Sequence, residues 1–206
     1  MFADVRYYIY ICSMNTSSNS ITKEKMSLKR LANIQSGVYI KGTPTGNVAC
    51  LQVKDIILSS PEKTAIHVEF SPKIENYILR KGDLLFAGKG TTYLCQVFNF
   101  DILAIPSTTL YAIRLRTNKV SPEYLCWYMN HPKVRAMVKS AQVGTGSPLI
   151  HKSTLENLEI IVPDRETQQQ IVELANLQKR EAYLINQIME RKTQITNQIL
   201  INELNK

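Results

Sequence analysis

Cysteine is scarce in this chain and scattered. Its four residues, Cys12, Cys50, Cys95 and Cys126, form no Cys-x-x-Cys pair, which argues against a zinc site or a dense disulfide framework and fits a reducing cytoplasm. His67, His131 and His151 have no metal-ligand spacing. No stretch approaches the ~20 apolar residues of a membrane span. Tyr7 to Cys12 is a short apolar run, preceded by Asp4 and Arg6 and followed by Ser, Asn and Thr, which suits no signal peptide.

Glycine and proline are both missing after Pro163. The remainder is rich in Gln, Glu, Leu, Ile and Lys, the composition of one long helix. Ile171, Leu174, Ile185, Ile188, Ile195 and Ile199 fall on one stripe, interrupted by Gln178, Glu181 and Lys192. That is an imperfect heptad seam. At 1.5 Å per residue the helix reaches about 60 Å, longer than a small domain needs to close its own core. Its C-terminal half is therefore expected to project and seek a partner, the alternative being a terminal helix packed along its own domain.

The net charge is +8, from 25 basic and 17 acidic side chains, and it is unevenly placed. Beyond Pro163, Arg165, Lys179, Arg180, Arg191, Lys192 and Lys206 balance Asp164, Glu166, Glu173, Glu181, Glu190 and Glu203. The whole excess sits on residues 1–163. A basic head on a neutral helix suggests a polyanionic partner, most often nucleic acid, although a basic soluble protein can also carry no such partner.

Residues 1–26 read as an appendage with a polar linker, or as the product of a start placed too early, with Met14 or Met26 as alternatives. Residues 27–163 read as a globular domain and 164–206 as the long helix. Ser27 to Ile34 has near-helical apolar spacing after a possible Ser cap. A turn-rich loop containing Lys41 follows. Short β-type runs then succeed one another: Val48 to Val53, Ile56 to Leu58, Ala65 to Phe70, Leu84 to Ala87, Tyr93 to Phe98, Ile102 to Ile105 and Leu110 to Leu115. They imply a mostly antiparallel sheet or barrel. The class is α+β, a β-rich domain followed by a long C-terminal helix that pairs as a coiled coil.

Gly88-Lys89-Gly90-Thr91-Thr92 places a cation and flexible backbone amides where an anion could be held, and it equally suits a hairpin turn. It does not match the phosphate-binding pattern Gly-x-x-x-x-Gly-Lys-Ser/Thr. Ser121-Pro122-Glu123 starts a helix through Asn130. Pro132 starts a second helix, with Arg135 and Lys139 on one face. A small-residue loop from Val143 to Pro148, then His151-Lys152-Ser153, leads to a strand from Leu158 to Val162. The candidate nucleic-acid contacts are Lys41, Lys54, Lys89, Thr91, Thr92, Arg135, Lys139, Thr145, Ser147 and Lys152.

Four pieces taken together resemble one half of a type I restriction-modification specificity subunit. They are Leu31-Ala-Asn-Ile-Gln-Ser-Gly37, Lys81-Gly-Asp-Leu-Leu-Phe-Ala-Gly88, Ser121-Pro-Glu-Tyr-Leu-Cys-Trp-Tyr-Met129, and Gly144-Thr-Gly-Ser147 running through Ile161-Val-Pro163 into Gln168 to Ile171. Their order and spacing carry the resemblance. It implies a target-recognition domain with one spacer helix, where members of the family typically carry two of each in one chain. It further implies binding to double-stranded DNA at a bipartite site on behalf of methyltransferase (M) and restriction (R) subunits. Assembly would be as a homodimer or with a second half-subunit.

The resemblance implies no catalysis and no cofactor. The residues agree: there is no Asp/Asn-Pro-Pro-Tyr/Phe, no Gly-rich dinucleotide fingerprint, and the only Glu-x-Lys is Glu190-Arg191-Lys192 on the predicted helix. The competing reading is an assembly adaptor whose helix binds proteins while its head reads no DNA.

Overall fold

The computed structural model describes residues 24–58, 61–142 and 148–205. The expected loop residues Thr145 and Ser147, and most of the expected N-terminal appendage, lie outside that set. Glu24, Lys25 and Met26 are the exception, because with Ser27 they form strand β1 (Glu24–Ser27), which pairs antiparallel with β9 (Glu159–Val162). The globular unit thus reaches back three residues further than the expected boundary. The chain enters its head beside the point where it leaves.

A single-turn helix α1 (Leu28–Leu31) follows, and then strand β2 (Ala32–Ser36), which sequence periodicity had merged with α1 into one helix. Strands β3 (Val48–Leu51), β4 (Ile66–Val68), β5 (Leu84–Ala87), β6 (Cys95–Val97), β7 (Ala104–Pro106) and β8 (Leu110–Leu115) complete the β part. They form a four-stranded antiparallel sheet in the order β2-β8-β5-β6 and a three-stranded sheet β4-β3-β7. The pairing of β3 with β7 is parallel, the one departure from antiparallel order among the named strands.

Strand β5 explains why Leu84-Leu-Phe-Ala is apolar throughout instead of alternating. Leu84 and Phe86 face a core built with Leu28, Leu31, Ile113, Leu125 and Ile160. Leu85 and Ala87 face a second core with Leu51, Ile56, Phe98 and Leu110. Both faces of the strand are buried, so period two leaves no polar position.

The expected strand Ile56 to Leu58 is instead helix α2 (Val53–Leu58). Its cause is Asp55, fully buried, whose carboxylate accepts from the Gln52 N–H at 2.7 Å and from the Thr64 hydroxyl at 2.6 Å. These bonds close a helical turn and tie it to α3 (Pro61–Thr64). Tertiary satisfaction of a buried carboxylate overrides the β preference of the Ile-Ile-Leu run.

Helices α4 (Pro122–Asn130) and α5 (Pro132–Ser140) begin where their prolines predict, α4 with the Ser121 Oγ accepting from the Tyr124 N–H at 3.1 Å. Helix α6 (Lys152–Glu156) precedes β9. The 40-residue helix α7 (Arg165–Leu204) then runs without interruption. Asp164 caps it, accepting from the Thr167 N–H and hydroxyl, both at 2.8 Å. The backbone bond from Thr167, then the hydroxyl bond, hold the Asp164 carboxyl below its usual range.

Candidate nucleic-acid interface

The loop between β5 and β6 is the best-built part of the candidate surface. Gly88 lies against the Tyr111 ring so closely that a Cβ there would sit 2.3 Å from it, and Gly90 has φ +89°. The glycines therefore answer a packing contact and a turn. The backbone amides are occupied: Gly88 and Lys89 N–H donate to the Thr109 carbonyl at 3.0 and 3.3 Å, and Gly90 N–H to Pro148 at 2.9 Å. Those three amides are thus engaged within the fold, and the segment is a braced turn. What it offers outward is the exposed Lys89 and Thr91 side chains.

Arg135 is engaged within the head. It is half-buried on α5, and its guanidinium donates to the Thr92 carbonyl at 2.5 Å. It acts as a strut between α5 and the β5–β6 loop. Tyr93 adds a second brace by donating its hydroxyl to the Gln142 side chain. Lys139, one turn further along α5, is exposed.

The segment after residues 143–147 returns to the same place. Ile150 N–H donates to the Gly88 carbonyl at 2.9 Å, and Lys89 bridges Leu149. Lys152 follows at the start of α6, exposed and 3.5 Å from Glu156. Such an exposed pair is worth little and leaves the ammonium able to exchange partners. Lys89, Thr91, Thr92, Arg135 and the chain leading into Lys152 are thereby brought together by hydrogen bonds across three elements.

Lys41 and Lys54 belong to the other sheet. Lys41 is exposed in the loop between β2 and β3, which lies along β4 through the Thr43 N–H bond to the His67 carbonyl at 2.9 Å. Lys54 is exposed on α2. His131 ends α4 and caps α5, accepting from the Lys133 N–H at 3.3 Å, and His151 precedes α6. Among the described residues no group of three or more His, Cys, Asp or Glu could hold a metal ion.

At the other end of the head, the root of α7 is docked. Ile171 and Val172 pack on the main core, and Leu174 is partly buried. Gln168, 1% exposed, is the residue that sequence reasoning left without a role. Its side chain bonds Ser121, Lys119 and Pro163 backbone groups at 2.9, 2.8 and 2.9 Å. The available signal was its position three residues before Ile171, on the apolar stripe. Nearby, Tyr124 donates to the Ile161 carbonyl at 2.7 Å, and burial, helped by Tyr128, pushes its phenol up to about 12.

Past this root the helix leaves the head. Ile185, Ile188, Ile195 and Ile199 are 49, 53, 61 and 56% exposed. Ile185, Ile188, Ile195 and Ile199 follow one another at spacings of three, seven and four residues, and the exposed Leu177 and Leu184 flank that stripe. This is the a/d rhythm of a coiled-coil seam, unpaired within one chain.

A basic head fixed by a buried polar lock to a projecting heptad helix is the geometry that the family comparison meets. The family model for the type I restriction modification DNA specificity domain matches residues 20–201. The chain belongs to that family. Solved structures agree in fold with this DNA specificity domain. The type I restriction-modification S subunit from M. genitalium superposes with a TM-score of 0.56 at 14% identity, over 79% of this chain and 40% of that one. The HsdS subunit from Thermoanaerobacter tengcongensis gives 0.60 at 18% identity, over 88% and 48%. A chain from a study of complex assembly and conformational transition of the type I R-M system gives 0.60 at 18%, over 88% and 45%. This chain therefore spans less than half the length of each of these solved structures. A sequence comparison with curated proteins finds no significant match. No helix among the described residues is long and apolar enough to cross a membrane.

Proposed function

We propose that this chain is a non-catalytic, sequence-specific DNA-recognition subunit of a type I restriction-modification system. Its head, residues 27–163 extended back through β1, reads duplex DNA. Its helix, residues 164–206, is the spacer and assembly surface. The observation that carries this reading is the union of family membership with a heptad stripe that the head leaves uncovered.

Burying each large aliphatic side chain of that stripe is worth roughly 1.5–3 kcal/mol, which makes a lone stalk a poor monomer. A second copy of the chain, or a second half-subunit, covers it. Packed antiparallel, two stalks place the heads at opposite ends. They then suit a bipartite, two-fold related site whose half-site separation is set by the ~60 Å helix. Methyltransferase and restriction subunits assemble on this frame and supply the chemistry, so the chain needs neither cofactor nor metal, and it works in the cytoplasm where its DNA is.

On the head, Lys89, Lys139 and Lys152 are the phosphate-contacting cations beside Thr91, and Thr145 and Ser147 are further contacts. Lys41 and Lys54 contact the backbone from the second sheet. Arg135 and the Thr92 carbonyl it holds keep the β5–β6 loop in place instead of touching phosphate.

Equilibrium binding of the assembled complex to duplex DNA across a salt series tests this reading. Each phosphate contact contributes about −0.9 to the log–log slope. A steep slope with preference for one sequence supports it. Assembly with M and R subunits but no DNA affinity would instead establish the adaptor reading.

A further inference from the structure

Two cysteines are neighbours where the head meets the stalk, and one side chain contacts both. Asn130 Oδ1 accepts from the Cys95 N–H at 2.9 Å and its Nδ2 donates to the Cys95 carbonyl at 2.7 Å, pinning β6 to α4. The same Nδ2 lies 3.5 Å from Cys126 Sγ, and the Cys126 thiol donates to the Cys95 carbonyl at 3.3 Å. The two thiols lie close enough to shift each other's ionisation. Their spacing is thus fixed by the fold.

The two sulfurs differ in access. Cys95 is buried, with Met129 Sδ at 3.9 Å. Cys126 is half-buried and lines a groove of about 670 Å³ between α4 and α7. The other titratable groups on that groove are Glu123, His131 and Lys179, the last contributed by the stalk.

The Cys95 hydrogen bond, opposed by burial and assisted by Lys179, holds the Cys126 thiol below its ordinary range. The same bond and burial hold Cys95 well above it. A half-exposed thiol of lowered pKa beside a protonated one is the arrangement of an attacking and a resolving cysteine. Cys50 contrasts with both, buried on β3 and pushed up by desolvation and then by Asp55.

We propose that Cys126 and Cys95 are a modification site at the head–stalk joint. Hydrogen peroxide entering the groove oxidises Cys126, and Cys95 resolves the product as a disulfide between α4 and β6. In the first step the Cys126 thiol gives up its proton, its sulfur attacks one peroxide oxygen and the O–O bond breaks. The leaving hydroxide takes a proton to become water, and Cys126 carries S–OH. In the second step Cys95 gives up its proton and its sulfur attacks the Cys126 sulfur. The S–O bond breaks, and hydroxide leaves with that proton as a second water. Peroxide gains two electrons and the dithiol loses two. Oxidation also removes the free Cys126 thiol from the groove it shares with Lys179 of the stalk.

The test uses the full chain treated with hydrogen peroxide, alkylated and digested for mass spectrometry. A Cys95–Cys126 linked peptide, reversed by dithiothreitol, is expected to form before Cys12 or Cys50 reacts. In Cys95→Ser the Cys126 sulfenate should persist and be trapped by dimedone. In Cys126→Ser, Cys95 should stay reduced. Because a change at the buried Cys95 can unfold the head, phenylarsine oxide provides a readout on the unmodified protein. This arsenical bridges neighbouring thiols, and one adduct spanning Cys95 and Cys126 is expected. Failure to form that adduct, or peroxide reacting first at Cys12 or Cys50, would overturn the proposal.

Discussion

Gln168 on the stalk accepts a hydrogen bond from the backbone N–H of Ser121 at 2.9 Å, and Ser121 is in turn the cap of α4. The first turn of the long helix and the start of the helix beneath it are thereby set by one side chain. Gln168→Ala would leave the Ser121 N–H and the Lys119 and Pro163 carbonyls without their partner. Loss of about 1–3 kcal/mol is expected, read as a lower urea midpoint of the full chain. An unchanged midpoint would show that the lock is not a source of stability.

Arg135→Ala is expected to weaken DNA binding without altering the salt slope, because the guanidinium braces the Thr92 carbonyl instead of facing phosphate. Lys89→Ala combined with Lys152→Ala should lower affinity for all sequences alike and flatten the slope by about 0.9 per lost contact. If the Arg135 variant flattens the slope by a comparable amount, Arg135 is a phosphate ligand and the strut assignment is wrong.

Gly88→Ala places a methyl group 2.3 Å from the Tyr111 ring, whose hydroxyl donates to the Ile150 carbonyl at 2.8 Å. Overpacking of this kind costs about 1–3 kcal/mol. It should also displace the 148–152 segment, so DNA affinity and thermal midpoint fall together. A variant with wild-type midpoint would mean the ring moves aside freely.

Much of this was legible in the sequence, and the gaps have physical causes. The long helix, the prolines opening α4 and α5, and strands β5 and β8 follow from local composition and periodicity, since nothing distant opposes them. The α2 segment was misread because Asp55 is satisfied by Thr64, a contact that no window of the sequence around Ile56 displays. Strand β2 was hidden because Ala32-Asn-Ile-Gln-Ser takes its form from pairing with Tyr111–Leu115, far along the chain. At the candidate surface, residue type identified the exposed lysines. It could not separate Arg135, held at Thr92, from Lys139, free on the same helix face. Gln168 looked like one more polar residue in a Gln-rich run.

Ile185→Asp with Ile188→Asp puts two carboxylates on the exposed stripe, far from the docked root at Gln168 and Ile171. The head should stay folded, with an unchanged circular dichroism melt of its β-rich part, while self-association or pairing with a second half-subunit is lost in sedimentation. A double variant that still assembles would remove the stalk from its organising role.

The central claim is tested most directly by selection from a random-sequence duplex library with the chain assembled alongside its methyltransferase subunit. The account predicts enrichment of one bipartite motif, two short specified halves separated by an unspecified spacer of constant length. Salt-dependent binding that enriches no motif, or a single uninterrupted site, would contradict it.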